Sequence, residues 1–140
     1  PEFWREEIPR LAEVAAAGQG AWFLLSRRED SEGSLVGRCA ITNLVRGAFQ
    51  AGHLGFALAK PAEGQGLMYE ALLEVVRFAF GELGLHRLMA NYRPENERSA
   101  RLLARLGFRI EGLAKDYLHL DGAWRDHVLT ARVHPEWRAP

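Results

Sequence analysis

The sequence predicts an α+β domain built on one mixed sheet, and three observations predict it. The first three apolar runs are joined by connections too short for crossovers, so they form an antiparallel meander. A strand-like run, a glycine-bearing loop and a long segment of helical period follow between Leu54 and Leu83, and another strand-like run comes next. That order makes a strand–helix–strand unit with a right-handed crossover, whose two strands run parallel and adjacent. The chain then closes on two long runs joined at Asp121-Gly122, a hairpin signal.

Taken in order, Trp4, Ile8, Leu11 and Ala15 share one helical face, and Gly18 can end that helix. Trp22 to Ser26 reads as a strand and Arg27 to Ser34 as a polar turn. Leu35 to Val45 is a second strand, with Val36, Ala40, Thr42 and Leu44 alternating against Cys39, Ile41 and Val45. Arg46-Gly47-Ala48 is a tight turn, and Phe49 to Ala59 a third strand carrying Leu54, Phe56 and Leu58 on one face. The helix after the loop spaces Met68, Leu72, Val75, Val76, Ala79, Phe80 and Leu83, with Gly81 and Gly84 around its end. His86 to Tyr92 is a strand. Pro94-Glu95-Asn96 opens a helix in which Leu102, Leu103 and Leu106 share a face with Ser99, while Arg98, Arg101 and Arg105 read as a solvated basic stripe. Gly107 caps it, and Phe108 to Leu120 and Ala123 to Val133 form the hairpin.

Bulk properties bound the function. A chain of 140 residues suits one domain, 1–140, with a real core. Lys+Arg and Asp+Glu both number 18, so net charge gives no argument for nucleic acid or a membrane as partner. The lone Cys39 sits in an apolar run, which excludes a disulfide within the chain and fits a reducing, cytoplasmic setting. No run approaches the roughly 20 apolar residues of a membrane span, and no signal peptide is visible. The five histidines show no ligand spacing, so no metal is expected. The sequence begins without methionine inside a helical pattern and reads as a piece of a longer protein.

The stretch from Ala62 to Leu73 carries the most chemistry. Gly64 and Gly66 let the backbone lie close to a ligand, and the first N–H groups of the following helix have no internal partner. Together with the positive end of the helix dipole they suit phosphate oxygens. The other reading is a plain strand-to-helix turn. No Gly-Lys-Ser/Thr follows, and the third glycine of G-x-G-x-x-G is absent, so this is neither a Walker loop nor a dinucleotide fingerprint.

With these residues in this order, the chain resembles the GCN5-related N-acetyltransferases. The family's diphosphate loop, Gln/Arg-x-x-Gly-x-Gly/Ala, falls on Glu63-Gly64-Gln65-Gly66-Leu67-Met68, where only Gly66 matches strictly. Glu63 puts a carboxylate beside a diphosphate, unhelpful unless its side chain turns away, and Met68 replaces a small residue. The second motif is Asn96 through Gly107-Phe108. Gly64 to Met68, Leu88 to Tyr92, Asn96 to Ser99, Leu102 to Phe108, Ala114 to Leu118 and Trp124 to Ala131 are similar to the Rim-type ribosomal-protein-alanine branch, RimJ-like members above all. The likeness runs from Trp22 onward. Family members usually begin with a further strand and helix that this sequence lacks.

The resemblance implies the family's acetyltransferase fold, with acetyl-CoA wedged between two parallel strands that splay apart, here those ending at Ala59 and Tyr92. Backbone groups of Phe56, Ala57 and Leu58 would meet the pantetheine arm, N–H groups from Gly64, Gln65, Gly66, Leu67 and Met68 the diphosphate, and Asn96 would complete the cofactor set. Many relatives carry a tyrosine acid at the position of Leu103, which cannot donate a proton. Ser99 is then the proposed donor to the leaving thiolate, or else a helix-start hydroxyl bonding backbone. Relatives often place a glutamate base before the loop, and Leu54 to Ala59 offers none. An α-amine with a pKa of about 7.7–8.0 is partly neutral at neutral pH, unlike a lysine at about 10.4, so the missing base suits an N-terminal acceptor.

Asp116 is in phase with Ala114, Leu118 and Leu120, and a two-residue turn would set it opposite His127 with Arg125 diagonal. It is either one member of a buried ion pair or an acid/base group facing the acceptor amine. His53 reads as an ordinary strand residue. Tyr69, Tyr92, Tyr117 and Trp124 are expected in the core first and in a peptide groove second. The function implied is direct acetyl transfer from acetyl-CoA, in a ternary complex, to the N-terminal alanine of a ribosomal protein. A small-amine or antibiotic acetyltransferase and a non-catalytic acyl-CoA-binding module are the alternatives.

Overall fold

The computed structural model describes residues 9–10, 13–27 and 33–140. The expected positions Trp4, Ile8 and Leu11, and most of the turn after Arg27, lie outside the described residues. Residues 13–16 are helical, with Val14 half-buried and Ala15 exposed, so Ala15 is not on the packed face. Gly18 follows at φ 71°.

Six strands form one sheet in the order β1-β2-β3-β4-β6-β5. They are β1 (Ala21–Ser26), β2 (Leu35–Val45), β3 (Ala51–Leu58), β4 (Arg87–Tyr92), β5 (Arg109–Leu120) and β6 (Ala123–Val133). The first three make the expected antiparallel meander. A short 3₁₀ turn, Lys60–Ala62, and helix α1 (Leu67–Gly81) cross to β4, which runs parallel to β3. Helix α2 (Glu97–Arg105) leads to the hairpin, and β6 inserts antiparallel between β4 and β5.

Both helices lie on one face of the sheet: Arg105 of α2 stacks over Tyr69 of α1 at 4.0 Å. Between helices and sheet lies the core, with Met68, Leu72, Val75, Val76 and Ala79 of α1 against Cys39, Ile41, Leu54, Leu88, Ala90 and Tyr92. Leu103, Leu106 and Phe108 complete it. The alternation read along β2 fails at its end. Asn43 takes φ 51° and the pairing with β3 slips between Thr42 and Val45. This bulge reverses the side-chain phase, so Leu44 packs on the core while Val45 is exposed. Asp121 and Gly122, at φ 52° and 79°, make the tight turn that their residue types demand.

Candidate active site

The parallel ladder between β3 and β4 is only three pairs long: Ala51 with Arg87, Gly52 with Leu88, His53 with Met89. Beyond His53 the strands part. β3 runs on to Leu58 paired, among the described residues, with β2 alone, through Leu54–Ile41, Phe56–Cys39 and Leu58–Gly37. The β4 side of residues 54–58 therefore offers backbone groups to an extended ligand. This is the splay expected of the strands ending at Ala59 and Tyr92, with Phe56, Ala57 and Leu58 along it.

At the open end of this gap, Gly64 and Gly66 take φ 77° and 73°, and Gly66 is the N-cap of α1. A Cβ on either glycine would meet nothing within 4 Å, so the space over the loop is open to a ligand. The first helical bond runs from the Glu70 N–H to the Gly66 carbonyl. Among the described residues no acceptor takes the N–H groups of Gly64, Gln65, Gly66, Leu67 or Met68. Met68, out of pattern in the family loop, is harmless there, because its side chain is buried with its sulfur 3.7 Å from Cys39 Sγ. Burial pushes that thiol up to about 11.

Two arginines from other elements hold the loop's side chains. Glu63 is turned to Arg98 of α2, 2.5 Å away, which neutralises the carboxylate that would oppose a diphosphate. Arg27, just after β1, donates to Gln65 Oε1, and the Gln65 amide donates to the Pro61 carbonyl at 3.2 Å. The basic stripe is thus not a plain solvated face. Arg98 reaches the loop, Arg101 faces Glu97 at 3.7 Å, and Arg105 covers Tyr69. The sequence shows the charges but not the pairings of Arg98 and Arg105, whose partners lie far away in the chain.

Asn96 is the N-cap of α2, its side chain accepting the Ser99 N–H at 3.1 Å. Ser99 is half-buried, and among the described residues its hydroxyl makes no hydrogen bond, so the backbone-bonding alternative is not what the structure shows. Leu103, at the family's tyrosine position, is a core side chain 1% exposed.

The expected pairing of Asp116 with His127 is overturned. Register runs true from Leu120–Ala123 to Leu118–Arg125 and then slips, so that Ala114 faces His127. Lys115, Asp116 and Tyr117 bulge opposite Asp126, whose carboxylate takes the Asp116 N–H at 3.0 Å and Lys115 Nζ at 3.1 Å in place of ladder bonds. The bulge requires φ 46° at Asp116, a conformation that Asp tolerates. Asp116 is exposed and not part of a buried ion pair. Arg125 caps the turn, donating to the Leu120 and Asp121 carbonyls, and His127 is buried with Nδ1 3.1 Å from the Arg125 carbonyl. Tyr92 is a core residue as expected, but Trp124 is 61% exposed with its ring against His119, and Tyr117, also exposed, has its ring near His127.

A CoA thioester fits what is here. The gap offers backbone to an amide-bearing arm, the loop offers N–H groups that no acceptor among the described residues takes, and the loop's own carboxylate, Glu63, is paired. Phe56, Ala57, Leu58 and residues 64–68 would hold such a donor, which supplies an acyl group activated on sulfur.

Residues 2–109 match the family model described as the Acetyltransferase (GNAT) domain. The chain is 44% identical over 137 residues to the [Ribosomal protein uS5]-alanine N-acetyltransferase of Escherichia coli (strain K12), covering 98% of this chain and 70% of that protein. Among solved structures it is similar to the ribosomal-protein-S5-alanine acetyltransferase from Vibrio fischeri, with TM-score 0.93 and 37% identity over 99% of this chain and 75% of that one. It is also similar to Mycobacterium smegmatis RimJ in complex with CoA-disulfide, with TM-score 0.87 and 36% identity over 97% of this chain and 63% of that one.

Proposed function

We propose that this chain, which belongs to the acetyltransferase (GNAT) domain family and takes its acetyl group from acetyl-CoA, delivers it to the N-terminal α-amine of a ribosomal protein, with alanine as the first residue. The observation that carries this is the parting of β3 and β4 after His53–Met89, beside a loop whose N–H groups have no acceptor among the described residues. A thioester threaded there would pass toward the sheet face away from α1 and α2. The 44% identity to a ribosomal-protein alanine acetyltransferase supports the acceptor. So does the lack of a carboxylate on residues 54–59, because an α-amine needs less help to lose its proton than a lysine does.

In this reading Ser99 protonates the departing sulfur, its hydroxyl having no hydrogen-bond partner among the described residues. Asn96 holds the start of α2 and with it the position of Ser99. Asp116, exposed on its bulge beside Tyr117, attracts the acceptor's ammonium. Ribosomal substrates place the work in the cytoplasm.

The test is a panel of acceptors with purified protein and acetyl-CoA: an alanine-starting peptide, the same peptide with a blocked N-terminus and an internal lysine, a polyamine and an aminoglycoside. Transfer to the free alanine peptide alone is expected. Transfer to the polyamine or aminoglycoside in preference would replace the proposed acceptor, and CoA binding without transfer would leave a binding module.

A further inference from the structure

We propose that His53 is the group that takes the proton from the acceptor amine. The inference rests on the transferase reading above and deepens it, because that reading names no base. His53 is the last paired residue of β3 before the strands part, so its ring stands at the closed end of the gap. Side chains alternate along a strand, and Gly52 and Leu54 face the helices and core. His53 therefore points to the opposite face. A donor anchored at the start of α1 and threaded through the gap brings its acyl end to that face.

The Nδ1 of His53 is buried and has no hydrogen-bond partner, the one such side-chain atom among the described residues. A buried polar atom without a partner is costly, so a fold does not keep one without cause. Its cross-strand neighbours are Thr42 on β2 and Met89 on β4, neither of them titratable. The charged side chains of those strands on the same face, Arg38 and Arg87, stand next to other residue pairs, and Arg87 is held by Glu111 at 2.6 Å. Burial lowers the pKa of His53 from its ordinary 6.5, so at neutral pH the ring is uncharged and able to accept a proton. The protons balance. Of the three on the acceptor ammonium, one leaves through His53 to solvent. As the C–N bond forms and the C–S bond breaks, a second leaves the nitrogen and replaces the one Ser99 gives to sulfur. The third stays on the amide.

The experiment is the pH profile of kcat on the alanine-starting peptide, for the wild-type chain and for His53→Gln, which keeps a polar group of similar reach but cannot hold the extra proton. CoA affinity by calorimetry and the circular dichroism spectrum report on the fold. The expected result is a kcat about 10²-fold lower in His53→Gln, loss of the acid limb, and unchanged CoA affinity. An active wild-type chain beside a His53→Gln variant with the same kcat and the same acid limb overturns the inference alone, whereas a wild-type chain that acetylates no amine overturns the reading and the inference together. Should His53→Gln fail to fold, histidine NMR of the wild-type chain decides. A His53 titration below 6.5 that moves when CoA is added supports the assignment, and one indifferent to CoA overturns it.

Discussion

Arg98 and Glu63 meet at 2.5 Å across the space between α2 and the loop that precedes α1. Arg98 is well exposed and Glu63 partly so, and an exposed ion pair contributes only about 0–1 kcal/mol to stability. Its effect falls on the ligand, because an unpaired carboxylate at position 63 would face a diphosphate. Arg98→Ala is expected to weaken CoA binding by about tenfold, some 1.4 kcal/mol, with little change in melting temperature. Glu63→Gln alone should bind CoA at least as well as wild type, and adding it to Arg98→Ala should restore most of the loss. Calorimetry on the double-mutant cycle checks this, and additive losses would mean that the two side chains do not act as a pair.

Ser99 is next to Arg98 in the chain but has a separate role. Ser99→Ala is expected to reduce turnover about 10²-fold while leaving CoA affinity and thermal midpoint near wild type, since among the described residues its hydroxyl makes no bond that folding would lose. Wild-type turnover would reduce Ser99 to a residue whose N–H is capped by Asn96.

In the hairpin the stability effect belongs to Asp126 and not to Asp116. Asp116→Asn is expected to leave the urea midpoint unchanged, and any loss should appear in turnover. Asp126→Ala should lower the midpoint by removing the acceptor for the Asp116 N–H and the partner of Lys115. The Asp116 N–H, and then Lys115, hold the Asp126 carboxyl below its ordinary 3.8. With the folded value below the unfolded one, the stabilisation is fully present above the unfolded value and disappears as pH falls through the folded one. Urea melts of wild type and Asp126→Asn should therefore converge on acidification. Equal midpoints at neutral pH would show that the bulge does not depend on the charge.

Cys39 offers a reporter of unfolding. The thiolate is the reactive form, and a thiol raised from 9.0 to about 11 is about 100-fold less ionised at mildly alkaline pH, besides being 2% exposed. Alkylation in the native protein should thus be at least about 100-fold slower than in urea and should follow the unfolding transition. Rapid labelling of the folded chain would mean that the contact between Cys39 and Met68 opens readily.

Much of this site is legible along the chain, and what is not has a common cause. The loop at 64–68, the helix after it and the Asp121-Gly122 turn follow from glycine, hydrophobic period and turn chemistry, all local properties. The parallel neighbours β3 and β4 follow from the handedness of crossovers. Both errors of register, at Asn43 and at Asp116, arise where a side chain tolerant of positive φ admits a bulge, and no period in the sequence marks such a point. Glu63 looks unfavourable for phosphate until Arg98 is seen beside it. His53 looks ordinary until its unbonded Nδ1 is placed at the end of the gap.

The three-pair ladder between β3 and β4 also bears on how the protein folds. It divides the sheet into two antiparallel ribbons, β1–β2–β3 and β4–β6–β5, joined edge to edge by one short parallel seam. The β2–β3 and β5–β6 hairpins pair residues close in sequence, whereas the seam, like the β4–β6 ladder, joins residues more than thirty positions apart and meets a larger loop-closure cost than those hairpins. The seam is expected to close late in folding, after the core face of α1 has brought the ribbons together. In native-state hydrogen exchange the amides of β3 beyond His53 that face β4 should exchange fast in the free protein and slow sharply once CoA fills the gap. The donor would then act as the missing rungs of the ladder, and the apparent stability of the chain should rise and fall with the cell's supply of CoA thioesters.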